Sequence, residues 1–211
     1  MKQLRIPPIL VDIVQSSILV FDNVVFESRD VCPACGGSLS GNDTRKRQFA
    51  IMLREGKSCP VNVYIKRFSC RQCKTTCSAD EPYYPDTRHG SPVVDLCRTL
   101  STMMPFHRTS AYLAQMGIVI DRGTVRNYAR GSFPEIPTTD LFGIRLPLSI
   151  VSLSSILVDP GERSGIIGAK MLATCGFPSA YRAAPDRLRS SPKRDEWEKK
   201  KNEKERQAEG P

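Results

Sequence analysis

Cys32-Pro33-Ala34-Cys35-Gly36-Gly37 and, further along, Cys70-Arg71-Gln72-Cys73 are the stretches that decide how this chain folds. A C-x-x-C turn delivers two thiolates from one tight loop, and zinc takes four deprotonated ligands in a tetrahedron. Two such loops, brought together by strands between them, make a closed structural site. Cys32, Cys35, Cys70 and Cys73 are therefore the expected ligands of a zinc ribbon. Pro33 stiffens the first loop, and Gly36 and Gly37 can take the positive φ angles that turn backbone amides toward sulfur. Cys59 and Cys77 flank the second loop and stay open as substitute ligands. Cys97 falls on an apolar helix face and reads as a small buried thiol.

Eight cysteines would also suit a disulfide framework in a short secreted chain. The apolar stretch after Lys2 and Arg5 is interrupted by Pro7, Pro8, Asp12 and Gln15, too early and too often for a signal core. No run of about 18 apolar residues could span a membrane. The reading is a reducing, cytoplasmic setting with metal-bound thiolates and no membrane partner.

The 211 residues carry a formal net charge of +9, unevenly placed. Between residues 42 and 78 lie Arg45, Lys46, Arg47, Arg54, Lys57, Lys66, Arg67, Arg71 and Lys74, against Asp43 and Glu55 alone. A positive field concentrated on the ribbon is what a phosphate-contacting surface requires, and Lys66 and Arg67 are its expected contacts. Gln48 to Leu53 and Val61 to Phe68 read as its strands, since Val61, Val63 and Ile65 alternate with Asn62, Tyr64 and Lys66. Arg54-Glu55-Gly56-Lys57 supplies the turn. Upstream, Ile9 to Val14 and Ile18 to Phe26 are rich in β-branched and aromatic residues and read as strands. Downstream, Glu81-Pro82-Tyr83-Tyr84-Pro85 reads as a linker.

A helical block follows from about Ser91 to Arg130. Pro92 suits the first turn of a helix, with Val93, Leu96, Cys97 and Leu100 on one face. Pro105 stops it. A second helix is expected from Thr109 or Ser110 to a C-terminal stop at Gly117. Asp121 caps a third, ended by Gly131, with Val125 and Tyr128 facing inward and Arg122, Thr124, Arg126, Asn127 and Arg130 outward. Three short helices with a Gly-bearing turn and an Arg/Asn-rich last helix suggest a helix-turn-helix. Arg can grip guanine bidentately, Asn can grip adenine, and Thr can reach phosphate or a thymine methyl.

In this order, the four cysteines, the Pro82-Tyr83-Tyr84-Pro85 segment, RHGSPVVDLCRTLS (88–101) and MGIVIDRGTVRNYAR (116–130) resemble the DNA-binding front half of prokaryotic insertion-sequence transposases. The likeness covers residues 32–131, and Gly117 to Arg126 is its most telling part. The resemblance implies that Arg122, Thr124, Arg126, Asn127 and Arg130 recognise the element's terminal repeats in double-stranded DNA. It also implies a following nuclease domain with three metal-binding carboxylates. Asp159 stands where a first such aspartate would lie, but it opens a Pro160-Gly161 turn. Asp186 follows too soon, and Glu196, Glu198 and Glu203 sit in a charged tail, so no complete catalytic set is readable. His89 and His107 read as non-catalytic.

The expected fold class is thus α+β. Its parts are an N-terminal β segment (1–30), a zinc ribbon (31–78), a linker (79–90) and a helix-turn-helix (91–131). A small apolar region (132–184), including a helix candidate at Ala169–Ala173, and a charged tail (185–211), either disordered or a solvated helix, complete it. The expected function is zinc-dependent recognition of DNA without transposase catalysis. The alternative is a zinc-ribbon adaptor docking a transcription or nucleic-acid processing complex. A homo-oligomer is left open.

Overall fold

Pro8 opens the first helix, α1 (Pro8–Leu19), in the computed structural model, which describes residues 6–156 and 164–175. Strands were the expectation here, and the difference has a clear cause. The segment is apolar almost throughout, so its β-branched content masks a helical period. Leu10, Val14 and Ile18 recur every four residues, and Phe21 follows three later; all are fully buried. Pro8 costs nothing at the first helical position, where its missing N–H has no intrahelical partner. Only Val25–Phe26 remains extended, as β1.

Two long strands follow, β2 (Leu39–Arg54) and β3 (Lys57–Cys70). They are joined by Glu55 and Gly56 at φ 50° and 75°, the doubly left-handed two-residue turn that matches strand twist. Each runs well beyond the expected stretch, to Leu39 opposite Cys70. As anticipated, Val61, Val63 and Ile65 point inward. A register shift between Gln48 and Ala50 lets consecutive Phe49 and Ala50 both be buried. On the other edge, β3 takes β1 in parallel (Val25 opposite Tyr64) and β4 (Thr76–Ser78) antiparallel (Cys77 opposite Phe68).

Residues 79–90 contain no helix or strand, as expected, but they do not behave as a linker. Ala79, Tyr83, Tyr84, Thr87 and His89 are buried. Tyr83 meets Phe49 edge-on at 5.8 Å, and Phe49 in turn stacks on Phe21 at 4.1 Å. Gly90 donates to the Phe49 carbonyl at 2.9 Å, so close that a Cβ on Gly90 would lie 2.0 Å from the Phe49 ring. The prolines prevent regular structure; the tyrosines between them fill the core.

Three helices come next, α2 (Ser91–Met103), α3 (Phe106–Gln115) and α4 (Arg122–Arg130), and each packs on the other two. α3 begins a turn earlier than expected, directly after Pro105. Thr109 and Ser110 are not its caps. Thr109 is buried, and Ser110 donates to the Ile120 carbonyl at 2.6 Å, latching the connector between α3 and α4. Gly117 at φ 84° ends the helix as expected. The connector also joins the hairpin, for the Leu53 amide donates to Gly117 and the Val119 amide to Ile51. The far end of the hairpin is thereby tied to the helical block.

The last elements are a hairpin, β5 (Thr138–Leu141) and β6 (Ile144–Pro147), then α5 (Leu148–Ser154) and α6 (Ser164–Cys175). α6 contains the helix candidate at Ala169–Ala173. Ile144, Leu146, Ile150, Leu153 and Met171 share one apolar core with α1, the inner half of the hairpin and α2 to α4. The described residues are thus a mixed α+β structure of six helices and two sheets. Asp159, Asp186 and the charged tail lie outside them. No helix among them is long and apolar enough to cross a membrane.

Candidate functional site

The outer end of the hairpin brings Cys32, Cys35, Cys70 and Cys73 together, with all four sulfurs within 4.8 Å of one another. Cys32 and Cys35 lie in the loop entering β2; Cys70 ends β3, and Cys73 lies in the turn beyond. The two loops repeat one design. The amide of Gly36 donates to the Cys32 carbonyl and that of Lys74 to the Cys70 carbonyl, and both donors have positive φ, 71° and 59°. Each loop is then closed from its first cysteine, whose amide donates to Gly37 or Thr75. The closest sulfurs pair across the loops, Cys32 with Cys73 at 3.6 Å and Cys35 with Cys70 at 3.5 Å. Four sulfurs ~2.3 Å from a common centre would stand ~3.8 Å apart, so the quartet fits a tetrahedral metal site.

Electrostatics agree with geometry. Hydrogen bonds from Thr75 hold the Cys73 thiol at about 6, and the Cys73 and Gln72 amides lower Cys70. Cys35 goes the other way, to about 12: the Gly37 amide lowers it, but the neighbouring sulfurs outweigh that effect. Crowded thiols cannot all ionise, because each thiolate raises the next. A divalent cation at the centre would remove this conflict. Cys32 and Cys70 are buried, whereas Cys35 and Cys73 are exposed. The cluster therefore has an inner wall of two sulfurs and an outer one open to solvent.

Neither alternative ligand joins it. Cys59 pairs with Met52 near the opposite end of the hairpin. Cys77 is buried on β4 beside the cluster, with its thiol pushed up by burial, but it is not one of the four convergent sulfurs. Cys97 is fully buried, as its helix face implied.

The basic residues of the hairpin divide into two groups. Lys66 lies 3.7 Å from Glu27, and Arg67 makes a two-pronged ion pair with Asp43. Arg47 is occupied more deeply. It pairs with Glu81 at 2.9 Å, donates to the Thr87 carbonyl and lies 3.6 Å over the Tyr83 ring. By contrast, Arg45, Lys46, Arg54, Lys57, Arg71 and Lys74 are exposed and make no ion pair with a carboxylate among the described residues.

On α4 the expected division of faces is present. Val125 and Tyr128 are buried, while Arg122, Arg126, Asn127 and Arg130 are exposed and turned outward. Arg122, Arg126 and Arg130 fall at four-residue intervals and so form one stripe. Thr124 serves the cap instead: its amide and hydroxyl donate to Asp121 at 2.9 and 2.5 Å. Arg130 lies 5.9 Å over the Phe106 ring. Lys66 and Arg67 do not join this stripe; they stand toward the cysteine end of the hairpin. Sequence reasoning passed over the contact between His89 and Tyr128, whose ring nitrogen and hydroxyl lie 2.9 Å apart. They stand 39 positions apart in the chain, so no local spacing signals it.

No protein-family model, curated protein or solved structure matches this chain. The functional reading therefore rests on the site itself.

Proposed function

We propose that this protein is a zinc-dependent double-stranded DNA-binding protein related to insertion-sequence transposases. In this reading α3 and α4 act as a helix-turn-helix, and the cysteine-bearing end of the hairpin is a zinc ribbon. The observation that carries it is the outward face of α4. Arg122, Arg126 and Arg130 stand in line with Asn127 beside them, and residues 122–130 contain no carboxylate. A solvated helix without a partner usually mixes both signs of charge; this one offers only cations and an amide. Those are the groups that read guanine and adenine edges in the major groove.

Phosphate contacts belong to the unpaired cations, Arg45, Lys46, Arg71 and Lys74 foremost. Lys66 and Arg67 contribute less, because DNA must compete with Glu27 and Asp43 for them. These exposed pairs are weak, so the competition reduces the contribution without abolishing it. Zinc suits the ligand set because thiolates are soft and the site offers four in a tetrahedral arrangement.

Substituting Arg126 or Asn127 by Ala should cost about 1–3 kcal/mol on a preferred duplex and little on random DNA. Replacing Arg45 and Lys46 together should weaken both DNAs and flatten the salt dependence by about one unit per charge. Gel-shift titrations over a range of salt measure both effects. Equal losses on preferred and random DNA after Arg126→Ala would remove α4 as the reading element. A wild-type affinity indifferent to salt would instead favour a protein-docking role.

A further inference from the structure

α4 is short and thinly anchored. Of its nine residues only Val125 and Tyr128 are buried, and its N-terminus is fixed by the Asp121 cap. Val125 packs without direction, so the C-terminal half takes its orientation from Tyr128. The Tyr128 hydroxyl lies 3.3 Å from the backbone nitrogens of both Arg88 and His89 and 2.9 Å from His89 Nδ1. A phenol oxygen accepts two hydrogen bonds and donates one. With both amides donating to it, its own proton goes to Nδ1. His89 is thereby set as a neutral ring with its proton on Nε2. Burial, aided by the Arg88 cation and opposed by Asp121, holds His89 below its ordinary pKa, in keeping with that state. Every hydrogen-bonding capacity of the hydroxyl is used, and the partners belong to the 79–90 segment pinned to the hairpin core. An α-helix that rotates by one residue turns its side chains through ~100°. Even a fraction of that would swing Arg126 and Asn127 away from a base edge.

We infer that the Tyr128 hydroxyl, clamped by the Arg88 and His89 amides and the His89 ring, fixes the rotation of α4, making Tyr128 and His89 positioning residues for sequence discrimination. The inference rests on the DNA-binding reading of α4. Tyr128→Phe keeps the ring and removes the clamp. His89→Leu removes the acceptor, whereas His89→Asn returns a carbonyl oxygen near the place of Nδ1.

The test compares two probes, a duplex selected by the wild-type protein from a random pool and a scrambled duplex of equal length. Tyr128→Phe and His89→Leu should each lower the affinity ratio between them by about tenfold, the worth of one good base contact. Affinity for the scrambled duplex should change by less than about twofold, and His89→Asn should restore most of the ratio. Amide exchange should quicken in α4 but not in α2. If Tyr128→Phe does not fold, the two His89 variants decide the matter alone. A preference that survives these substitutions in folded protein overturns the positioning role and leaves the DNA reading standing. A wild-type protein that prefers no duplex overturns the reading itself, and the inference with it.

Discussion

Stripping the metal from the four-cysteine cluster is expected to unfold the outer end of the hairpin while the rest of the protein stays folded. The hairpin has two halves with different support. Phe49, Ala50, Met52, Val61, Val63 and Ile65 belong to the main apolar core, shared with α1 and α2 to α4. Beyond them, residues 41–46 of β2 are all exposed, and the outer end buries little besides Phe68, Cys77 and the two inner cysteines. So small a set cannot offset the entropy of ordering both loops. In the proposed zinc site, metal binding would supply it, on the order of 10 kcal/mol. Wild-type protein purified under reducing conditions should carry one zinc per chain. A strong chelator should then release amide protection over roughly residues 31–46 and 66–76, with α2 unaffected. Cys70→Ser should reproduce the loss. Full protection after complete metal removal, or protein purified without metal, would rule out the structural-zinc reading.

The cysteine loops were legible because their chemistry is local. Two cysteines three residues apart describe a turn whatever the rest of the chain does, and in the first loop Gly36 follows to take the positive φ that Lys74 takes in the second. Helices α2 and α4 were legible for a similar reason, since Pro92, Pro105, Asp121 and Gly131 mark boundaries by removing donors or supplying caps. α1 was not, because an almost uniformly apolar stretch has no polar face to reveal its period. The inner half of the hairpin was readable from its alternation, but not its attachment to the helical block. That attachment runs through backbone bonds from Leu53 to Gly117 and from Val119 to Ile51, which leave no mark on side-chain pattern. Charge was the least readable property. Arg47, Lys66 and Arg67 count as free cations until Glu81, Glu27 and Asp43 are placed beside them, at separations of 34, 39 and 24 residues. The positive field therefore has the sign that composition announced, but it is centred on other side chains.

Asp95→Asn is expected to stabilise the protein above neutral pH and to leave it nearly unchanged only below about pH 4. Asp95 lies on α2 with no exposure to solvent. One carboxyl oxygen accepts from the Tyr84 hydroxyl at 2.9 Å; the other has no hydrogen-bond partner among the described residues. Burial raises its pKa to about 7, although the Tyr84 hydrogen bond and the Arg98 charge pull the other way. Nearby Cys97 and Cys175 are themselves buried and pushed up, so neither offers compensation. The sign follows directly. A carboxyl raised above its unfolded value of ~3.9 prefers its proton in the folded state. Its stabilising effect is complete below about pH 4, declines as pH rises and is lost above about pH 7. Between those limits the loss amounts to about 4 kcal/mol, of which about 2–3 kcal/mol falls between pH 5 and pH 8. Asparagine has the shape of the protonated acid, still accepts from Tyr84 and cannot ionise. Urea melts of zinc-saturated wild type and variant at pH 5, 6.5 and 8 measure the effect. Taking the difference between the two proteins cancels the titration of the cysteine cluster, which both share. The variant should gain on the wild type by about 2–3 kcal/mol across the series, and parallel curves would show that Asp95 is ionised and compensated in the folded protein.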